Sequence, residues 1–140
     1  MPAYAIACYT ALFTLLAYCD LKYRRIPNLL ILVGFFFGLF IFWDNIVPHI
    51  VGLLVGIGIP GCAYSVSRAT GLGDIYLCGL AGWVVGFPFI ALALIVALGL
   101  TLIVLLIRLR REASRKITFG PYMAFGVFIV LAAIFLGGVR

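Results

Sequence analysis

Four acidic residues stand in the 140-residue chain: Asp20, Asp44, Asp74 and Glu112. The sequence is 66% hydrophobic and 10% charged, so each ionisable group needs a physical account. Glu112 lies among cations in Arg108-Leu109-Arg110-Arg111-Glu112-Ala113-Ser114-Arg115-Lys116 and reads as a solvated loop acid. Asp44 follows Trp43 in a short turn and reads as interfacial, as does His49 beside Pro48. Asp20 closes one apolar run and Asp74 opens another. Two carboxyls held close in a poor dielectric cannot both ionise easily, so they share a proton and titrate as a pair. Such a pair can hydrolyse a peptide bond. One carboxylate takes a proton from the attacking water, the other hydrogen-bonds the carbonyl oxygen, and a proton then passes to the leaving nitrogen. That chemistry requires no metal and no cofactor. A plainer reading stands beside it: Asp74 as a helix N-cap, and Asp20 as a partner of Lys22, Arg24 or Arg25.

The elements that would carry these carboxyls follow from composition. A mean hydropathy of +1.31 excludes a water-soluble globule, a disordered chain, a coiled coil and a secreted disulfide scaffold. The apolar runs are continuous rather than alternating, which disfavours a lipid-facing β-barrel. The expected fold is all-α: a polytopic membrane protein in which residues 1–140 form one domain. A helix needs about 20 apolar residues to cross a bilayer. The spans are expected near Tyr4–Cys19, Leu29–Trp43, Ile46–Val66, Ile75–Gly86, Phe89–Ile107 and Pro121–Val139. The uncharged stretch from Ile75 to Ile107 is too long for one span and breaks best at Gly86-Phe87-Pro88. Residues 1–19 carry no Lys or Arg, so the first run lacks a signal peptide's basic start and reads as a retained helix.

Charge orients the bundle. Lys22, Arg24, Arg25, Arg68, Arg108, Arg110, Arg111, Arg115 and Lys116 fall on one side of it, against Arg140 alone on the other. The positive-inside rule makes the first side cytoplasmic and puts both termini outside. The net charge of +6 is then a topology signal and an attraction to anionic lipid heads, not a nucleic-acid footprint. This topology also brings Asp20 and Asp74 to the same depth. Cys8, Cys19, Cys62 and Cys78 lie in apolar stretches without C-x-x-C spacing and read as small hydrophobes. The pairs Gly34/Gly38, Gly52/Gly56 and Gly82/Gly86 read as close helix contacts.

The neighbours of the two aspartates add a resemblance. Asp20 leads through a basic segment into Ile26-Pro27-Asn28, Asp74 closes Gly71-Leu72-Gly73-Asp74, and Phe119-Gly120-Pro121 opens the last span. In that order, and over nearly the whole chain, these residues resemble the type IV prepilin peptidase family, membrane-embedded aspartic proteases with a G-x-G-D motif. The resemblance implies that Asp20 and Asp74 are the catalytic pair. It further implies a prepilin or prepilin-like substrate, cut where a short cytoplasmic leader meets an apolar helix, and a prokaryotic plasma membrane as the location. Gly71 and Gly73 are expected to let the backbone turn tightly and approach a substrate strand. Ile26, Pro27 and Asn28 are expected to shape the neighbouring loop. The full members' N-terminal domain with paired C-x-x-C motifs is not matched, so cleavage without methyl transfer is expected, as in preflagellin-type and tight-adherence pilus peptidases. Tyr76 departs from the family, in which a Lys often stands two residues after the second aspartate. Presenilin-like enzymes share G-x-G-D, but Cys19-Asp20 lacks their Tyr-Asp pair and no Pro-Ala-Leu is present. The other alternative is a non-catalytic assembly or accessory protein of a pilus or secretion system.

Overall fold

A computed structural model of the chain describes residues 3–23, 26–67, 71–110 and 119–137. Within them the chain forms α1 (Ala3–Tyr23), α2 (Asn28–Ile41), α3 (Ile46–Ser67), α4 (Leu72–Val85), α5 (Phe89–Arg110) and α6 (Gly120–Gly137), with a 3-10 turn at Trp43–Asn45. Long apolar runs favour helix because it satisfies every backbone donor and acceptor within one segment. Side-chain hydroxyls follow the same economy: Thr10, Thr14, Ser65 and Thr101 each donate to the carbonyl four residues back, at 2.7–3.0 Å.

Helix α4 is the axle of the bundle. Ile75 and every residue from Leu77 to Val85 are buried. Helix α3 packs most extensively on α4, and α2, α5 and α6 also pack against it. Helix α1 closes the bundle by packing on α6 and α2. The glycine pairs permit these approaches. A Cβ on Gly52 would overlap the Gly82 carbonyl, and one on Gly56 would overlap the Cys78 carbonyl. Gly34 fits against Leu12 and Leu80, and Gly38 against Trp83 and Tyr9. Cys78 is buried, Cys19 is half-buried, Cys8 and Cys62 are exposed, and all four are free thiols.

Among the described residues, three helices, α1, α3 and α6, are long and apolar enough to cross a membrane. Helices α2 and α4 are apolar but have 14 residues each, short of the length a lipid-exposed span needs. Burial explains α4: a helix surrounded by protein need not match the bilayer's thickness.

Most expected boundaries hold within two or three residues, and the departures have causes. Helix α1 runs on past Asp20 to Tyr23, because Leu21, Lys22 and Tyr23 contain no breaker and the next proline is Pro27. Helix α4 begins at Leu72 rather than Ile75, so Asp74 lies inside its first turn. Helix α2 stops at Ile41, and the chain tightens through Trp43–Asn45 before α3. The expected break at Gly86-Phe87-Pro88 separates α4 from α5. Much of the basic loop expected at 108–116 falls outside the described residues, as do Arg24, Arg25 and Arg68; α5 continues through Arg110.

Candidate active site

Asp20 faces inward because of its register. Tyr9, Phe13, Leu16 and Asp20 recur at intervals of four, three and four residues, which places them on one face of a helix. All four are buried, and Asp20 is only 6% exposed. Its Oδ2 accepts a hydrogen bond from the Gly120 N–H at 3.0 Å. That donor belongs to the first turn of α6, where backbone N–H groups lack helical partners and the helix dipole favours negative charge. The cation nearest in sequence turns elsewhere. Lys22 Nζ donates to the Tyr18 hydroxyl at 3.2 Å and lies 5.5 Å from the Tyr18 ring centre and 5.4 Å from that of Tyr23.

Asp74 is half-buried in the first turn of α4. It is not the N-cap. That position is Gly71, and Asp74 reaches back so that its Oδ2 accepts from the Gly71 N–H at 3.3 Å. This is the carboxylate half of a capping box. Asp20, near the end of α1, and Asp74, at the start of α4, therefore share one end of the bundle. Each carboxyl takes a backbone N–H there, Asp20 from Gly120 and Asp74 from Gly71.

The expected loop-shaping residues separate into two groups. Ile26 comes to the G-x-G-D turn: a Cβ on Gly73 would lie 3.4 Å from its side chain. Pro27 instead serves α2, as its N-cap in extended conformation, and its carbonyl accepts from the Leu30 N–H at 3.1 Å. Asn28 is exposed at the first position of that helix. The tight-turn role expected for Gly71 is not what its backbone shows. Its φ of −76° and ψ of 148° suit any residue. Among the described residues, the glycine that requires a positive φ is Gly86, at +75°. Tyr76 is 46% exposed. It lies two residues past Asp74, about 200° around the helix, so it points away from the carboxyl it follows.

Gly120 is the site residue that reading the motifs by themselves did not assign. Its signal was present in Phe119-Gly120-Pro121, where glycine before proline marks a helix start at which nothing larger fits. The opposite end of the bundle holds a different cluster. His49 stacks on Phe42 with ring centres 3.8 Å apart, and its Nδ1 lies 2.7 Å from the Trp83 carbonyl. A cavity of about 250 Å³ there is lined by Phe42, Asp44, Asn45 and His49 with apolar neighbours. Asp44 and His49, both read as interfacial, thus come together at the end remote from Asp20 and Asp74.

A bundle of apolar helices that carries two aspartates at one end defines a class of helical membrane protein. Within that class, the chain belongs to the type IV leader peptidase family, whose model matches residues 7–139. No curated protein and no solved structure matches it.

Proposed function

We propose that this peptidase is an intramembrane aspartic endopeptidase that removes the short cytoplasmic leader from prepilin-like proteins. What supports the proposal is that α1 and α4 carry Asp20 and Asp74 to one end of a chain that belongs to the leader peptidase family. In the proposed reaction water attacks the scissile carbonyl carbon while one carboxylate of the pair takes its proton. The protonated partner donates a hydrogen bond to the carbonyl oxygen, which becomes the hydroxyl of a tetrahedral intermediate. Collapse of that intermediate breaks the C–N bond, and a proton from the pair goes to the leaving nitrogen. The roles belong to the pair rather than to either aspartate.

The charge distribution supports placing this end on the cytoplasmic side of a prokaryotic plasma membrane, with all six helices in the bilayer and both termini outside. A prepilin-like substrate presents its leader on that side. The loops there are themselves basic, so a basic leader gains little from charge. Recognition then rests on the substrate's apolar helix and on the residues beside the cut bond.

The test is leader removal in lipid. Purified wild type is mixed with prepilins encoded near its gene and the substrate mass is followed, beside Asp20→Asn and Asp74→Asn. Loss of the leader with wild type and at most trace cutting by either variant is expected, a deficit of about 10³-fold or more where an acid–base group is removed. Cutting by both variants at the wild-type rate would sink the two-aspartate mechanism. Intact substrates with folded wild type would favour an accessory role.

A further inference from the structure

The hydrogen bond between Gly120 and Asp20 joins residues 100 positions apart in the sequence. It is buried, and it ties the end of α1 to the first turn of α6. The fit is close: a Cβ on Gly120 would overlap Oδ2 of Asp20 and lie 3.0 Å from its Cγ. Any side chain at position 120 would therefore displace the carboxyl group. The neighbouring Pro121 starts the helix without needing a donor of its own, and the Gly120 N–H is left to serve the aspartate.

We infer that Gly120 is a positioning residue, holding the Asp20 carboxyl by its backbone N–H in the orientation that proton transfer requires. The inference rests on the peptidase reading. A carboxyl on the last turn of a helix has two free side-chain torsions, and one fixed oxygen removes most of that freedom. Asp74 is held in the same manner by the Gly71 N–H, so each member of the pair is oriented by a backbone donor that, among the standard residues, only proline would delete. What sets position 120 apart is that its donor comes from another helix. The geometry of Asp20 thus depends on how α6 seats against α1.

Two variants separate space from donor. Gly120→Ala keeps the N–H and adds the overlapping Cβ. Incorporation of glycolic acid at position 120 by nonsense suppression keeps the space and replaces the N–H with an ester oxygen. Both are assayed as full chains in lipid against a prepilin, with Gly126→Ala as control. Gly126 lies in the same helix, and a Cβ there would press on the Ala93 carbonyl at 2.5 Å, a packing defect remote from Asp20. Misplacing a reacting group by about 1 Å costs on the order of 10²-fold in rate. The expected result is a kcat lower by about 10–100-fold for both position-120 variants, with KM unchanged and thermal unfolding no worse than that of Gly126→Ala. An ester variant with wild-type kcat overturns the inference, as does a loss that only follows the folded fraction.

A measurement independent of activity accompanies these assays. Labelling phenylalanine carbonyls with ¹³C and glycine amides with ¹⁵N selects Gly38, Gly120 and Gly126, the glycines that follow phenylalanine in the sequence. In Asp20→Ala the Gly120 amide proton should move upfield while those of Gly38 and Gly126 hold. A Gly120 amide that does not move overturns the inference. A wild type that cuts no prepilin counts against the peptidase reading alone, and the amide still decides whether the clamp exists.

Discussion

At one end of the bundle a carboxylate accepts from a backbone amide; at the other an imidazole donates to a backbone carbonyl. A carbonyl oxygen can only accept, so the Trp83 carbonyl fixes His49 with its proton on Nδ1. The same corner is tied a second time, since the Phe87 N–H donates to the Pro48 carbonyl at 3.0 Å. His49 therefore joins the start of α3 to the end of α4, with Phe42 stacked on its ring. His49→Ala is expected to destabilise the protein by about 1–3 kcal/mol, the usual cost of stranding a half-buried acceptor. Leader cleavage by the molecules that remain folded should keep its kcat. Unfolding in lipid at increasing denaturant measures the first, and a loss of kcat at full folding would place His49 in the reaction instead. Gly86→Ala belongs to the same corner. A φ of +75° with ψ of 173° is a conformation open essentially to glycine, so alanine there should cost about 1–3 kcal/mol in the same unfolding assay. The sequence made the two aspartates proposed as catalytic legible, because charge in an apolar chain is conspicuous. It did not reveal the partners of His49 or of Asp20. Both partners are backbone groups, which carry no mark in a string of side chains, and both lie more than thirty positions away.

The element that positions the site is α4, and α3 is its main support. Gly52 and Gly56 face α4 so closely that each virtual Cβ collides with a backbone carbonyl, whereas Gly58 and Gly61 meet nothing within 4 Å. Four glycines of one helix should thus respond in opposite directions. Gly56→Val must push α3 off α4 and should destabilise by about 1–3 kcal/mol or more, since backbone cannot yield as a side chain end does. Gly58→Ala and Gly61→Ala gain helix propensity at no steric cost and should stabilise by about 0.5–1 kcal/mol. Unfolding of the single variants in one lipid mixture is the comparison. Destabilisation by Gly58→Ala equal to that of Gly56→Val would show that the α3–α4 contact is not what these glycines serve. The spacing of Gly52/Gly56 and Gly82/Gly86 announced close packing, but not which helix each pair would meet. Spacing marks a face, and only the fold supplies the opposing one. Helix α4 starts earlier than its sequence suggests for a related reason. Gly71-Leu72-Gly73 reads as turn chemistry, yet the capping bonds between Gly71 and Asp74 draw Leu72 and Gly73 into the helix.

For the whole molecule, the site's position in the bundle determines what it can reach. Asp20 and Gly120 meet where α1 ends and α6 begins, at the end of the bundle where α4 starts with Asp74. Phe42, His49 and Trp83 meet at the other end. A leader peptidase works only if the first of these ends faces the compartment that holds the leader. The cation distribution predicts that it does. The prediction is open to a direct test with cysteines, because all four native thiols are free and can be replaced without breaking a bridge. In such a background, Asn45→Cys reports on the His49 end, and Leu72→Cys on the end that carries the aspartates; both residues are exposed. A membrane-impermeant maleimide added to intact cells should label Asn45→Cys and spare Leu72→Cys. Permeabilised cells should label both. The reverse pattern would turn the paired carboxyls toward the outside, where no cytoplasmic leader could meet them. The orientation and the proposed substrate would then fail together, while the two-carboxylate chemistry would remain to be explained by a substrate from the other side.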